Sequence, residues 1–137
     1  QYKQVKMECT DILEATRDLF LPGELIYIST DESDKSFFDP FREAGFRLKF
    51  LDDVQGAVGE LPDQNFVGMV EQIIATQGRV FVGTWYSTFT GYINRMRGYY
   101  GLAPESSYYF WGPKKYQMRD EGKFPKKFSS SYAREWP

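Results

Sequence analysis

Arg79-Val-Phe-Val-Gly-Thr-Trp-Tyr-Ser-Thr-Phe-Thr-Gly-Tyr-Ile-Asn-Arg-Met-Arg-Gly98 reads as a buried strand, a sharp turn and the opening turns of a helix. Val80-Phe81-Val82 is a short β-branched and aromatic run, with a charge before it and a glycine after it. Gly83 and Thr84 leave the strand, and Ser87 or Thr88 can cap the helix that follows. Phe89, Ile93, Met96 and Tyr100 then recur at helical spacing, which predicts one apolar face. A strand that runs into a hydroxyl-lined helix N-terminus is an anion cradle. Backbone N–H groups without helical partners and the positive end of the helix dipole converge there. This predicts a phosphate site at Ser87, Thr88 and Phe89.

Outward from that stretch, strand and helix signals alternate. Residues 11–20 carry Ile12, Ala15 and Leu19 on one helical face, with Thr10 or Asp11 as cap and Pro22-Gly23 as stop. Leu25-Ile26-Tyr27-Ile28 is a continuous apolar strand of the kind covered on both faces, and it ends in Ser29-Thr30-Asp31. A helix is predicted from about Ser36 to Ala44, with Phe37, Phe38 and Phe41 inward, Pro40 in its first turns and Gly45 closing it. Phe46 to Phe50 alternates as a half-wet strand and leads into Leu51-Asp52-Asp53. Residues 56–62 read as a loop. A third helix is predicted from about Asn65 to Gln77, with Phe66, Val70, Ile73 and Ile74 inward. After the central helix, broken by Gly98 and Gly101, Ser107 to Trp111 reads as the last strand. Residues 1–113 are thus one domain, and 114–137 a polar, basic tail that wraps or frays.

This alternation predicts an α/β fold: a Rossmann-like parallel sheet with helices on both faces. The Gly-x-Gly-x-x-Gly dinucleotide fingerprint and the Gly-x-x-x-x-Gly-Lys phosphate loop are both absent from the chain. In a parallel sheet every strand C-terminus lies on one rim, where ligands bind. Thr30-Asp31, Asp52-Asp53 and Thr84 to Thr88 would share that rim. A phosphate cradle beside carboxylates suggests a nucleotide site. A carboxylate accepts the N1–H and exocyclic amine of guanine together, a pattern adenine does not offer. The competing reading is that Asp31, Asp52 and Asp53 are loop acids or helix caps, that Ser87 and Thr88 only cap, and that Trp85, Tyr86 and Tyr92 pack. Arg95 and Arg97 point to opposite sides of their helix, and solvation is the default for each.

Composition narrows the chemistry. The 137 residues carry 17 basic and 19 acidic side chains, a net charge of −2 that leaves no electrostatic footprint for nucleic acid. One cysteine, Cys9, sits near the exposed N-terminus and reads as inert. With no histidine in the chain, a Ser-His-Asp triad, a Cys-His pair and histidine metal sites are excluded from these residues. No apolar run approaches a membrane span, so no membrane contact is expected within this chain. The chain begins with Gln1, so the lack of a targeting signal says little about compartment.

Gly83 to Gly98 closely resembles the C-terminal motif of the GDP-fucose protein O-fucosyltransferases, most of all the plant- and alga-type members. Tyr27-Ile-Ser-Thr-Asp-Glu32, Phe37-Phe-Asp-Pro40 and Leu51-Asp-Asp53 are similar to that family's nucleotide-binding half, in the same order. The resemblance, over roughly 25–111, implies a GT-B enzyme with the sugar nucleotide between two Rossmann-like halves. It implies GDP-fucose as donor, inversion at the anomeric carbon, a protein or glycan acceptor, the secretory pathway as compartment, and neither metal nor cofactor. Ser87, Thr88 and Phe89 match the motif that grips the β-phosphate. Glu71 matches an acidic position near the nucleotide where many relatives carry aspartate. Arg97 matches a motif arginine that matters to the structure or that supports the ligand-touching residues from behind. The family's His-x-Arg segment and its acceptor-gripping N-terminal half have no counterpart here, so the resemblance implies a donor-binding half with negligible transfer activity alone. No catalytic residue is assigned. The alternatives are a magnesium-dependent receiver-like domain, with Asp52-Asp53 as ligands, and a catalytically inactive nucleotide- or protein-binding relative.

Overall fold

Leu25–Tyr27 (β1) and Arg47–Lys49 (β2) pair in parallel, with Leu25 opposite Arg47 and Tyr27 opposite Lys49. Between them run a 3-10 turn, Lys35–Phe38, and a short helix, α2 (Asp39–Glu43). Pro40 sits in the first turn of α2, where its missing N–H is not needed. The computed structural model describes residues 7–59, 63–84, 87–111 and 114–117. Helix α1 (Cys9–Thr16) precedes β1 and ends in a 3-10 turn at Arg17–Leu19. Around this first parallel pair lies an aromatic core of Cys9, Phe38, Phe41 and Phe50, with Phe20, Phe46, Ile26 and Leu48 packed on it. Phe20, Phe41 and Phe46 meet with ring centroids 5.6–6.5 Å apart. Cys9, expected near an exposed terminus, is only 4 % exposed, because α1 folds it under α2.

Helix α3 (Leu51–Val58) follows β2 directly. The loop expected from residue 56 therefore starts later, since Gly56 lies inside this helix; residues 60–62 of that loop lie outside the described residues. A 3-10 turn at Gln64–Phe66 opens α4 (Val67–Thr76), and α4 leads to β3 (Phe81–Thr84). Helix α5 (Thr88–Tyr99) then returns, through a 3-10 turn at Pro104–Ser106, to β4 (Ser107–Trp111). β3 and β4 are parallel, with Phe81 opposite Ser107 and Thr84 opposite Phe110. The second core gathers Phe81, Ile93 and Tyr109, with Ala75, Phe89 and Met96 against them.

The α/β class holds, and β1 with β2 and β3 with β4 pair in parallel, but among the described residues the strands form two sheets instead of one: β1-β2, and β3-β4 extended by β5 (Lys114–Gln117). The two units meet through side chains. Glu24, just before β1, pairs with Arg79, just before β3, at 2.8 Å. The Tyr27 hydroxyl donates to Glu71 of α4 at 3.3 Å. Asp18 pairs with Lys115. Where polar side chains bridge the two units, β1 stays an edge: Leu25 is 50 % exposed, not covered on both faces as its apolar run predicts.

Three further expectations are corrected. β5 (Lys114–Gln117) pairs antiparallel with β4, so the tail begins inside the sheet; its remaining residues, 118–137, lie outside the described residues. On α4, Val70 and Ile74 turn partly inward, but Phe66 and Ile73 are exposed, with Met69 between them at 57 %. Apolar residues cover more than half of the turn of this helix, so their period does not choose which part is buried. Tyr100, expected on the inner face of α5, lies just past its end and is exposed.

Candidate functional site

β3 ends at the rim from which α5 departs, and the junction is unusually close. A Cβ built on Gly83 would lie 2.2 Å from Thr90 Cγ2 and 2.5 Å from its Oγ1, so only glycine lets the first turn of α5 sit on the strand. Thr90 Oγ1 in turn accepts the Thr84 N–H at 3.0 Å. Ser87 is the N-cap of α5 in extended conformation, and its Oγ accepts the Thr90 N–H at 3.4 Å, a long cap. Its hydroxyl keeps its own O–H as a donor. Helix geometry gives the amides of Thr88 and Phe89 no carbonyl within the helix. Thr88 is exposed, whereas the Phe89 side chain packs into the second core. Phe89 therefore offers a ligand its backbone amide, not its ring. Trp85 and Tyr86 lie outside the described residues.

A second group gathers at the end of β1. Tyr27 Oη approaches Glu71 Oε1 at 3.3 Å, longer than the roughly 2.7 Å usual for such a bond. The Tyr27 phenol is driven well above its ordinary range, first by burial, then by the Glu71 and Asp52 charges. The structure thus brings Glu71, distant in sequence, to the Tyr27 hydroxyl, with the Asp52 charge acting on it through space. Glu71 lies near the middle of α4, the helix that precedes β3. Asp52 is exposed in the first turn of α3. Asp53 is a cap: its carboxylate accepts the Phe50 N–H at 2.9 Å and lies 3.7 Å from Lys49 Nζ. Asp31 is exposed in the loop after β1, a loop held by Glu32 N–H to Thr30 Oγ1 and by Asp34, which caps Ser36. Among the described residues, no three acidic, histidine or cysteine side chains stand together as a cation site, the arrangement a receiver-like domain would need.

Arg97 is not solvated. It is fully buried and donates to Ser107 Oγ at 2.9 Å, to the carbonyls of Thr76 at 3.0 Å and Gly78 at 2.7 Å, and to Ser106 Oγ at 2.6 Å. These partners lie at the starts of β3 and β4, the edge opposite the cradle. Ten helical residues separate Arg97 from Ser87, roughly 15 Å along the axis. Arg97 ties α4, α5 and β4 together and is too distant to touch a ligand at the cradle.

Two residues, Thr90 at the end of β3 and Tyr27 at the end of β1, carry weight that a linear reading misses. Thr90 stands three residues after the Ser87 cap, the spacing at which a cap meets its amide, and that spacing was its only signal. Tyr27 reads as an ordinary strand aromatic, and nothing local marks its hydroxyl. No helix among the described residues is long and apolar enough to cross a membrane. A family model described as GDP-fucose protein O-fucosyltransferase matches residues 2–100. No curated protein and no solved structure matches the chain.

Proposed function

The chain belongs to the GDP-fucose protein O-fucosyltransferase family, and from that membership we propose that it forms the Rossmann-like, donor-binding half of a GT-B fucosyltransferase. The observation that carries this reading is the junction of β3 and α5. A Ser87-capped helix start is seated directly on the strand end at Gly83, with the amides of Thr88 and Phe89 aimed outward. In this reading the cradle takes the β-phosphate of GDP-fucose. Glu71, with one oxygen at the Tyr27 hydroxyl, takes the guanine edge, and Asp52 and Asp31 flank it.

The chemistry follows from charge. Cleavage of the fucose–phosphate bond builds negative charge on the departing GDP and positive charge on the sugar. Preorganised amides and the Ser87 hydroxyl stabilise that leaving group more than the intact donor, which is the condition for lowering the barrier. Loss of one such donor costs about 2.7–4 kcal/mol of barrier in comparable sites. Transfer proceeds with inversion and without metal, to a protein or glycan hydroxyl gripped by an upstream half that also lends an arginine to the pyrophosphate. The family works in the secretory pathway, and we assign this chain there.

Calorimetric titration with GDP tests the reading, with ADP as control and EDTA present. Saturable GDP binding that ADP lacks, weakened about tenfold by Ser87→Ala and abolished in its GDP-over-ADP preference by Glu71→Gln, is expected. Equal binding of GDP and ADP, or indifference to both substitutions, would sink it.

A further inference from the structure

We propose that Thr90 is the positioning residue of the cradle, holding the first turn of α5 against the end of β3 so that the amides of Thr88 and Phe89 converge on one anion. The inference rests on the reading of Ser87–Phe89 as the β-phosphate site.

Three contacts of this one residue support it. Its Oγ1 accepts the Thr84 N–H at 3.0 Å, tying it to the strand exit. Its methyl group fills the space that Gly83 leaves by having no Cβ. Its own N–H reaches Ser87 Oγ at 3.4 Å. Thr90 thus grips the chain at the strand end, Thr84, and at the helix cap, Ser87. The side chain is only 7 % exposed, so it acts on a ligand through the groups it holds.

The rotamer is part of the device. A threonine in a helix usually turns its hydroxyl back to a carbonyl one turn earlier, as a donor. Here Thr90 lies in the first turn, and its hydroxyl oxygen serves instead as acceptor for an amide of the strand. With β-branching and Gly83 leaving few orientations, α5 has one seat on β3. That matters because a phosphate oxygen is recognised by two amides only when both point at it within about 0.5 Å. A helix start free to slide or roll would keep its dipole yet lose that convergence.

The prediction separates positioning from general stability. Thr90→Val keeps the shape but removes the acceptor, and Thr90→Ser keeps the acceptor but removes the methyl group. GDP and GMP are titrated against the whole chain and both variants. Thr90→Val is expected to weaken GDP about five- to tenfold while leaving GMP, which has no β-phosphate, within about twofold; Thr90→Ser restores most of the difference. If Thr90→Val fails to fold, Gly83→Ala drives a Cβ into Thr90 from the strand side and should collapse the same GDP-to-GMP ratio. An unchanged ratio in a folded variant, or equal losses for both nucleotides, overturns the proposal. Should the unaltered chain bind neither nucleotide, the donor-half reading falls, and the lock is judged on its own. Hydrogen exchange at the Thr84 amide should then be slow in the unaltered chain and Thr90→Ser and fast in Thr90→Val. Equal exchange in all three overturns the lock itself.

Discussion

Cys9 shows how one residue's surroundings set a measurable property. Folded under α2 in the aromatic core, its thiol is pushed up to about 11 by burial, with a smaller push from the Asp39 charge. The ordinary thiol value is the unfolded one, so the folded state holds its proton where the unfolded chain has lost it. The contribution to stability is complete below pH 9 and disappears as pH rises from about 9 towards 11, with a slope no steeper than about 1.4 kcal/mol per pH unit. Tyr27, also raised, adds to the loss at still higher pH. Urea midpoints measured from pH 8 to 11 should fall for the unaltered chain and fall less for Cys9→Ala. Parallel curves would show that Cys9 is not the source.

Among the elements, α5 does two jobs at its two ends. Its N-terminus presents Ser87 and two outward amides, and its C-terminal half carries Arg97 into the interior. Arginine suits the second job because its planar fork reaches several carbonyls and hydroxyls at once, from Thr76 to Ser107. Lysine, a point charge with three donors, leaves part of that set unpaired. Arg97→Lys should therefore cost roughly 2–4 kcal/mol of stability in denaturant unfolding, within the range for orphaned buried polar groups. Because the cradle lies roughly 15 Å away along the helix, the folded fraction of this variant should bind GDP as the unaltered chain does. A selective loss of GDP affinity at full folding would assign Arg97 to the site instead. Gly83 and Ser87 at the other end were legible as strand exit and cap, because turn and capping chemistry act over three or four residues. Helix α3, which holds Asp52-Asp53 in its first turn, was not legible: Gly56 within it weakens its helical signal, while the Asp53 cap and the packed Phe50 before it sustain it.

At the scale of the whole molecule, the described residues form two small units, one around a parallel pair and one around a mixed three-stranded sheet, each with its own core and bridged by polar contacts. The Glu24–Arg79 pair spans the starts of β1 and β3, and Arg79 also donates to the Leu19 carbonyl at 2.9 Å. Hydrogen bonding from Arg79 is the first cause that holds the Glu24 carboxyl below its ordinary value. Its stabilising effect is therefore present above the ordinary carboxylate range and is lost as pH falls through it. The pair is partly exposed, at 49 % and 22 %, so its worth is under about 1 kcal/mol. Replacing Glu24 by glutamine should flatten the acid limb of the stability curve below about pH 4.5 without altering neutral-pH GDP binding. A variant with the same acid limb as the parent would show that other carboxylates govern it.

The sequence by itself determined the alternation of strands and helices apart from α3 and β5, the parallel sense in which β1 meets β2 and β3 meets β4, and the cap and glycine that set the β3–α5 junction. Those features rest on periodicity, β-branching and turn chemistry, which act between residues a few positions apart. Only the tertiary structure decided that Arg97 is buried, because its partners come from residues 9 to 21 positions away on three other elements. It alone decided which part of the apolar circumference of α4 faces inward, since a helix with apolar residues over most of its turn has no face marked by its own pattern. It alone joined Tyr27 to Glu71, and divided the described strands into two sheets. Each of these is settled by which neighbour removes a side chain from water, and that neighbour is brought up by the fold.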